Sequence, residues 1–169
     1  MKLNEYQRLN LLNQYRILHE LSILRGDKDG EERYDNYMTI LANGYEKEYS
    51  FFSEGLSETF SAEESEFVWE TLQMYSAIYY SYDILTDTKI KKEDIIFPGF
   101  DGNNEFQHYA FCDFILKDLK RFDEISNNRT DFNSHARKCQ QYRRMLLRWE
   151  SMGRPMTLSE QAIESLINA

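Results

Sequence analysis

Apolar positions recur at three- and four-residue intervals along nearly the whole chain, the spacing of helices with a buried stripe. Asn4 with Gln7 is close to a capping box and predicts a first helix running to about Leu24, where "RGDKDG" breaks it. A second helix is expected from about Glu31 into "YEKEYSFF", with Tyr34, Tyr37, Met38 and Leu41 on one side and Gly44 as its weak point. Ser61 and Glu64 form a capping-box pattern ahead of a long third helix to about Leu85. A short turn of helix is expected at residues 91–94. A fourth helix follows from about Asn103 to Phe122, capped by Asp101. The polar connection "EISNNRTDFN" leads to a fifth helix from about Ser134 to Met152, stopped by Gly153 and Pro155, and Thr157 with Glu160 opens a short last one. Alternation of period two is absent. The pattern predicts an all-α chain, a single compact domain over residues 1–169 with five to six helices.

Two of these helices are apolar on more than one side. The third carries Trp69, Leu72, Tyr79 and Tyr80 on a different side from Phe67, Met74, Ile78 and Leu85. In the fourth, Phe106, Tyr109, Phe111, Phe114, Ile115, Leu116, Leu119 and Phe122 spread around most of the circumference. Helices of this kind are buried, so these two are expected at the centre of the fold or beneath a partner subunit.

Composition sharpens this. Of 169 residues 41% are hydrophobic, and 12 Tyr, 11 Phe and 2 Trp are more than a disordered chain carries. This apolar load exceeds what one core of this size needs, which predicts a homo-oligomer, most simply a dimer. No apolar run is long enough to span a membrane and no signal segment is visible at the start, so a cytoplasmic protein is expected. Cys112 and Cys139 are isolated from each other and read as reduced thiols.

The net charge is −9 and uneven, with residues 117–154 the basic stretch at 10 Lys/Arg against 5 Asp/Glu. Overall acidity makes nucleic acid a poor partner. On the fifth helix, Arg137, Arg144 and Arg148 fall on one face at ~100° per residue, opposite the stripe of Cys139, Tyr142, Met145, Leu146 and Trp149. Such a face grips a phosphate or carboxylate, or pairs with acidic residues of the same protein.

Tyr75, Tyr79 and Tyr82 share a helical face, either as an oligomer interface or as the wall of a ligand pocket. "FPGFDGNNE" is a hard turn, since Pro98 cannot continue a helix and Gly99 and Gly102 admit backbone angles closed to other residues. Phe97 and Phe100 are expected to plug the core, and Phe100 with Asp101 marks a second, pocket-edge reading of the loop. Glu105 and His108 form one Glu-x-x-His pair, where a dinuclear carboxylate site needs two, so no metal and no cofactor is expected. No nucleophile elbow, P-loop or dinucleotide fingerprint occurs.

The stretches "QRLNLLNQYRIL", "ERYDNYMTILANGY", "MYSAIYYSY", "FPGFDGNNE", "YRRMLLRW" and "LSEQAIESLINA" resemble, in order and spacing, the YfbU family of small prokaryotic proteins. The resemblance covers nearly the whole chain and is looser over "RGDKDGEE". A phenylalanine-x-glycine-phenylalanine-aspartate loop of that family is matched by Phe97, Gly99, Phe100 and Asp101. It implies an all-helical cytoplasmic protein and brings no reaction and no catalytic residues. Some relatives carry this domain after a helix-turn-helix domain, which suggests ligand sensing. The expectation is a non-catalytic binding or regulatory module for a small ligand or a protein partner. The alternatives are an enzyme built from scattered residues such as His108, Cys112 and Asp101, or an anion or nucleic-acid binder through Arg137, Arg144 and Arg148.

Overall fold

The computed structural model describes residues 2–126 and 129–169. Helices dominate, and among the described residues the only β feature is an isolated bridge between Phe100 and Asn133. The chain divides into two compact units, Met1–Glu58 and Thr59–Ala169.

The first unit is a helical hairpin. Helix α1 (Glu5–Arg25) opens on the full capping box of Asn4 and Gln7 and ends at Gly26, whose left-handed backbone closes the helix. Helix α2 (Lys28–Asn43) is capped by the Asp27 carboxylate. It stops at Gly44, with φ at 70°, instead of running on through "YEKEYSFF". That stretch forms a separate 3₁₀ helix, Glu46–Ser53. Arg8 reaches across the hairpin and donates to the carbonyls of Leu41 and Ala42 at 2.9 Å each. Tyr15 packs its ring on Tyr34, Tyr37 and Phe52.

The second unit is built on α3 (Ala62–Ile84), which buries Phe67, Val68, Leu72, Met74, Tyr75, Ala77 and Ile78 in one continuous core. Burial on several sides explains its lack of a single apolar stripe. Ser61 accepts from the Glu64 backbone N–H at 3.1 Å, but the Glu64 side chain does not return the bond. It is used elsewhere, as shown below. A 3₁₀ turn, Lys92–Ile95, follows close to its expected place.

Helix α4 (Phe106–Asp113) starts three residues later than expected and widens into a π turn, Phe114–Asp118. Cys112, Ile115 and Leu116 are buried, whereas Phe106, Phe114 and Leu119 are exposed. The polar connection contains a further short helix, α5 (Asp123–Ser126), and residues 127 and 128 of it lie outside the described residues. Helix α6 (Cys139–Ser151) begins five residues beyond the expected Ser134. Helix α7 (Glu160–Ile167) is capped by Ser159 rather than Thr157. Glu160 accepts instead from Thr88 Oγ1 at 2.8 Å and the Lys89 N–H at 2.7 Å, tying the 85–90 connection to the last helix.

Candidate functional site

The 97–101 loop settles into the middle of the second unit. Phe97 and Phe100 are fully buried, with rings against Tyr75, Phe67 and Tyr142. The Phe100 N–H donates to the Phe132 carbonyl and the Phe100 carbonyl accepts from the Ser134 N–H, both at 3.0 Å. Gly99 has a φ of 92°, and a Cβ there would sit 1.7 Å from the Phe132 carbonyl oxygen. Glycine is required on both counts. The Tyr142 hydroxyl donates to the Gly99 carbonyl at 2.7 Å, and Arg129 donates to the Phe97 carbonyl. The hard turn is therefore structural, held by bonds to nearly every peptide.

Asp101 does not cap α4. Its carboxylate accepts from the Asn103 N–H at 2.9 Å and the Asn104 amide at 2.6 Å, which hold it below the usual carboxylate range. Both Phe100 and Asp101 are buried, at 0% and 2% exposure, so neither faces a ligand directly.

Glu105 and His108 diverge to different partners. Glu105 caps α6 from outside that helix, accepting from the N–H groups of Lys138 and Cys139 at 2.9 Å and from Asp101 at 3.1 Å. Burial raises its pKa, and these backbone donors outweigh that and leave it lowered. His108 Nε2 lies 2.6 Å from Glu64, which also takes two hydrogen bonds from Arg143 at 2.7 and 2.8 Å. The imidazole is enclosed by Phe60, Phe67 and Phe100, and Arg143 lies over the Phe67 ring. The His108 bond, with Arg143 adding to it, holds Glu64 below its ordinary pKa. This cluster joins α3, α4 and α6. Sequence spacing could not reveal it, because its members lie 44 and 79 positions apart. The unreturned capping bond of Glu64 was the only local trace.

Neither thiol is reactive by this geometry. Burial pushes Cys112 far up, and burial with Glu105 beside it pushes Cys139 up to about 12. Both are free. Among the described residues no three His, Cys, Asp or Glu side chains gather in a way that could hold a metal ion.

The three tyrosines separate. Tyr75 is a core residue. Tyr79 and Tyr82 line a cavity of about 300 Å³ together with Asp83, Lys92, Glu124 and Arg129, over a floor of Ile95 and Ile125. The Tyr79 hydroxyl accepts from the Phe97 N–H at 3.2 Å, Glu124 accepts from Ser76, and Arg129 is bound to the loop. Asp83, Lys92 and the Tyr82 hydroxyl have no hydrogen-bond or ion-pair partner among the described residues. A carboxylate, an ammonium and a phenol, the first two exposed to solvent, thus stand around one small concavity.

The arginines separate too. Arg137 precedes α6 and bonds to Asn104 at 3.1 Å. Arg144 and Arg148 line a groove of about 550 Å³ with Leu147, Met152, Ser165 and Ala169. Arg148 donates to Ser165 at 2.7 Å and Arg144 to the Ala169 main-chain oxygen at 3.3 Å. Neither meets a carboxylate side chain among the described residues.

Among the described residues no helix is long and apolar enough to cross a membrane. The family model described as the YfbU domain matches residues 1–169, and so runs across both units. The UPF0304 protein MJECS11 of Methanocaldococcus jannaschii is 31% identical over 174 positions, covering 99% of this chain and 99% of the relative.

Proposed function

The chain belongs to the YfbU family, and from that premise we propose that it is a non-catalytic binding module whose ligand is a small zwitterion seated between Tyr79 and Tyr82. The observation that carries this reading is the placement of Asp83 and Lys92, neither bonded to another described residue, on a cavity walled by two tyrosines. Its size is at the lower end of ligand pockets, suited to a molecule of amino-acid dimensions. A ligand cation meets Asp83, its anion meets Lys92, and the tyrosine rings cover the remainder. Catalysis is disfavoured by the engagements of the candidate groups. His108 is bonded to Glu64, Asp101 is spent on its own turn, and Cys112 is sealed in the core. The free thiols fit a reducing cytoplasm.

A second reading rests on Arg144 and Arg148. Two guanidinium groups that meet no carboxylate side chain among the described residues, in a protein of net charge −9, suit an anion, with Leu147 and Met152 beneath an apolar portion.

Native mass spectrometry of the chain purified gently from its own cells, followed by thermal titration with free amino acids, tests both. Retained mass or a midpoint shift that Lys92→Met and Tyr82→Ala remove supports the first reading. Stabilisation by inorganic phosphate that Arg148→Gln removes supports the second. Absence of any response to either set overturns both.

A further inference from the structure

Helix α1 has two apolar faces, and α2 takes only one. Arg8, Leu11, Leu12, Tyr15 and Ser22 point toward α2 and the 3₁₀ helix, as the bonds of Arg8 and the ring contacts of Tyr15 establish. At ~100° per residue the opposite face carries Tyr6, Asn10, Asn13, Ile17, Glu20, Leu21 and Leu24. Tyr6 is 73% exposed, Ile17 62% and Leu24 81%. Asn10, Ile17 and Leu24 stand seven residues apart, and Tyr6, Asn13 and Glu20 repeat at the same interval in the alternate places. This is the a and d seam of a helix that pairs with another helix, with an asparagine at one a position.

We propose that this seam is the interface with a second copy of the same chain, the two α1 helices lying antiparallel about a two-fold axis. Area is the first argument. Taking ~200 Å² for a large apolar residue, Tyr6, Ile17, Leu21 and Leu24 leave on the order of 500 Å² uncovered, and the exposed Asn10, Asn13 and Glu20 extend the seam toward the ~800 Å² per partner of a stable interface. Charge is the second. Glu20 is the one charge in the seam and sits at a d position. Antiparallel pairing that sets Tyr6 against Leu24 necessarily sets Asn13 against Ile17 and Asn10 against Glu20. The two Glu20 carboxylates are then kept apart, and each meets a neutral amide that donates a hydrogen bond. A seam so nearly uncharged suits itself better than it suits a charged partner.

Sedimentation velocity on the full chain, from micromolar to millimolar concentration, reads this directly. The expected result is a dimer. Asn10 is exposed, so substitution there leaves the hairpin intact, and circular dichroism checks that it does. Asn10→Glu places a second carboxylate against Glu20 and raises the dissociation constant by about tenfold or more, while Asn10→Lys holds or tightens the dimer. A wild-type monomer throughout overturns the proposal. So does a dimer indifferent to Asn10→Glu, or one that Asn10→Lys weakens equally.

Discussion

The two units make an instructive pair. Thr59–Ala169 encloses a continuous core in which Val68, Leu72, Met74, Ile78, Phe97, Phe100 and Phe132 are sealed from solvent. Among the described residues of Met1–Glu58 only Leu41 and Tyr49 of the large apolar side chains are buried, and much of α1 is exposed. Both are rich in helix. The difference is closure. In the second unit, loops are drawn into the interior and bonded there, so apolar side chains meet from several directions. In the first, two helices share one seam, and apolar side chains on the outer face of α1 are exposed. Helical content alone therefore says little about where stability resides.

That contrast can be broken most sharply at Gly99. Gly99→Ala forces a side chain onto the Phe132 carbonyl at an unfavourable backbone angle, and is expected to cost at least about 3 kcal/mol in chemical denaturation. Leu72→Ala opens a cavity in the closed core and is expected to cost about 3 kcal/mol, whereas Leu24→Ala, on an exposed face, stays within ~0.5 kcal/mol at concentrations where the chain is monomeric. Equal costs at the two leucines would abolish the distinction. Tyr142→Phe leaves the buried Gly99 carbonyl without its hydroxyl donor and is expected to cost about 1–2 kcal/mol. Hydrogen exchange should show α3 amides protected to the level of global unfolding and α1 amides opening at lower free energy, the gap narrowing as protein concentration rises.

The smallest effect is electrostatic. Glu64 has a folded pKa below its unfolded value, so its contribution to stability is complete above the unfolded pKa and is lost as pH falls through the folded one. Stability measured across the acid range should decline below about pH 4.5, and Glu64→Gln should flatten part of that decline. An unchanged profile would show that the Glu64–His108–Arg143 cluster is energetically idle.

Local signals were well read from the chain. Asn4 with Gln7, Ser61 and Gly26 act through neighbours within a few residues, so composition and spacing expose them, whereas Gly44, expected as a weak point within the second helix, ends it. The errors fall where a cap comes from far away. The expected starts at Asn103 and Ser134 failed because Asp101 serves its own turn, while Glu105 reaches 33 positions to hold the Lys138 N–H. Likewise Glu160 accepts from the Thr88 hydroxyl and the Lys89 N–H and leaves capping to Ser159. The candidate sites divide in the same way. Helical phase grouped Tyr75 with Tyr79 and Tyr82, yet α3 is buried on several sides, so one of the three became core and two reached a cavity. Arg137 left its group because the helix begins after it.

The sequence by itself determined that the chain is helical, where its hairpin turns, and that Gly99 and Pro98 end in a rigid reversal. These follow from backbone geometry and from contacts a turn or two apart. Only the tertiary structure decided which aromatic faces close upon one another, which carboxylate serves which helix, and which charges are left over at Asp83, Lys92, Arg144 and Arg148. Those outcomes depend on side chains brought together from 17 to 79 positions away, and a free partner is visible only after every occupied one has been found.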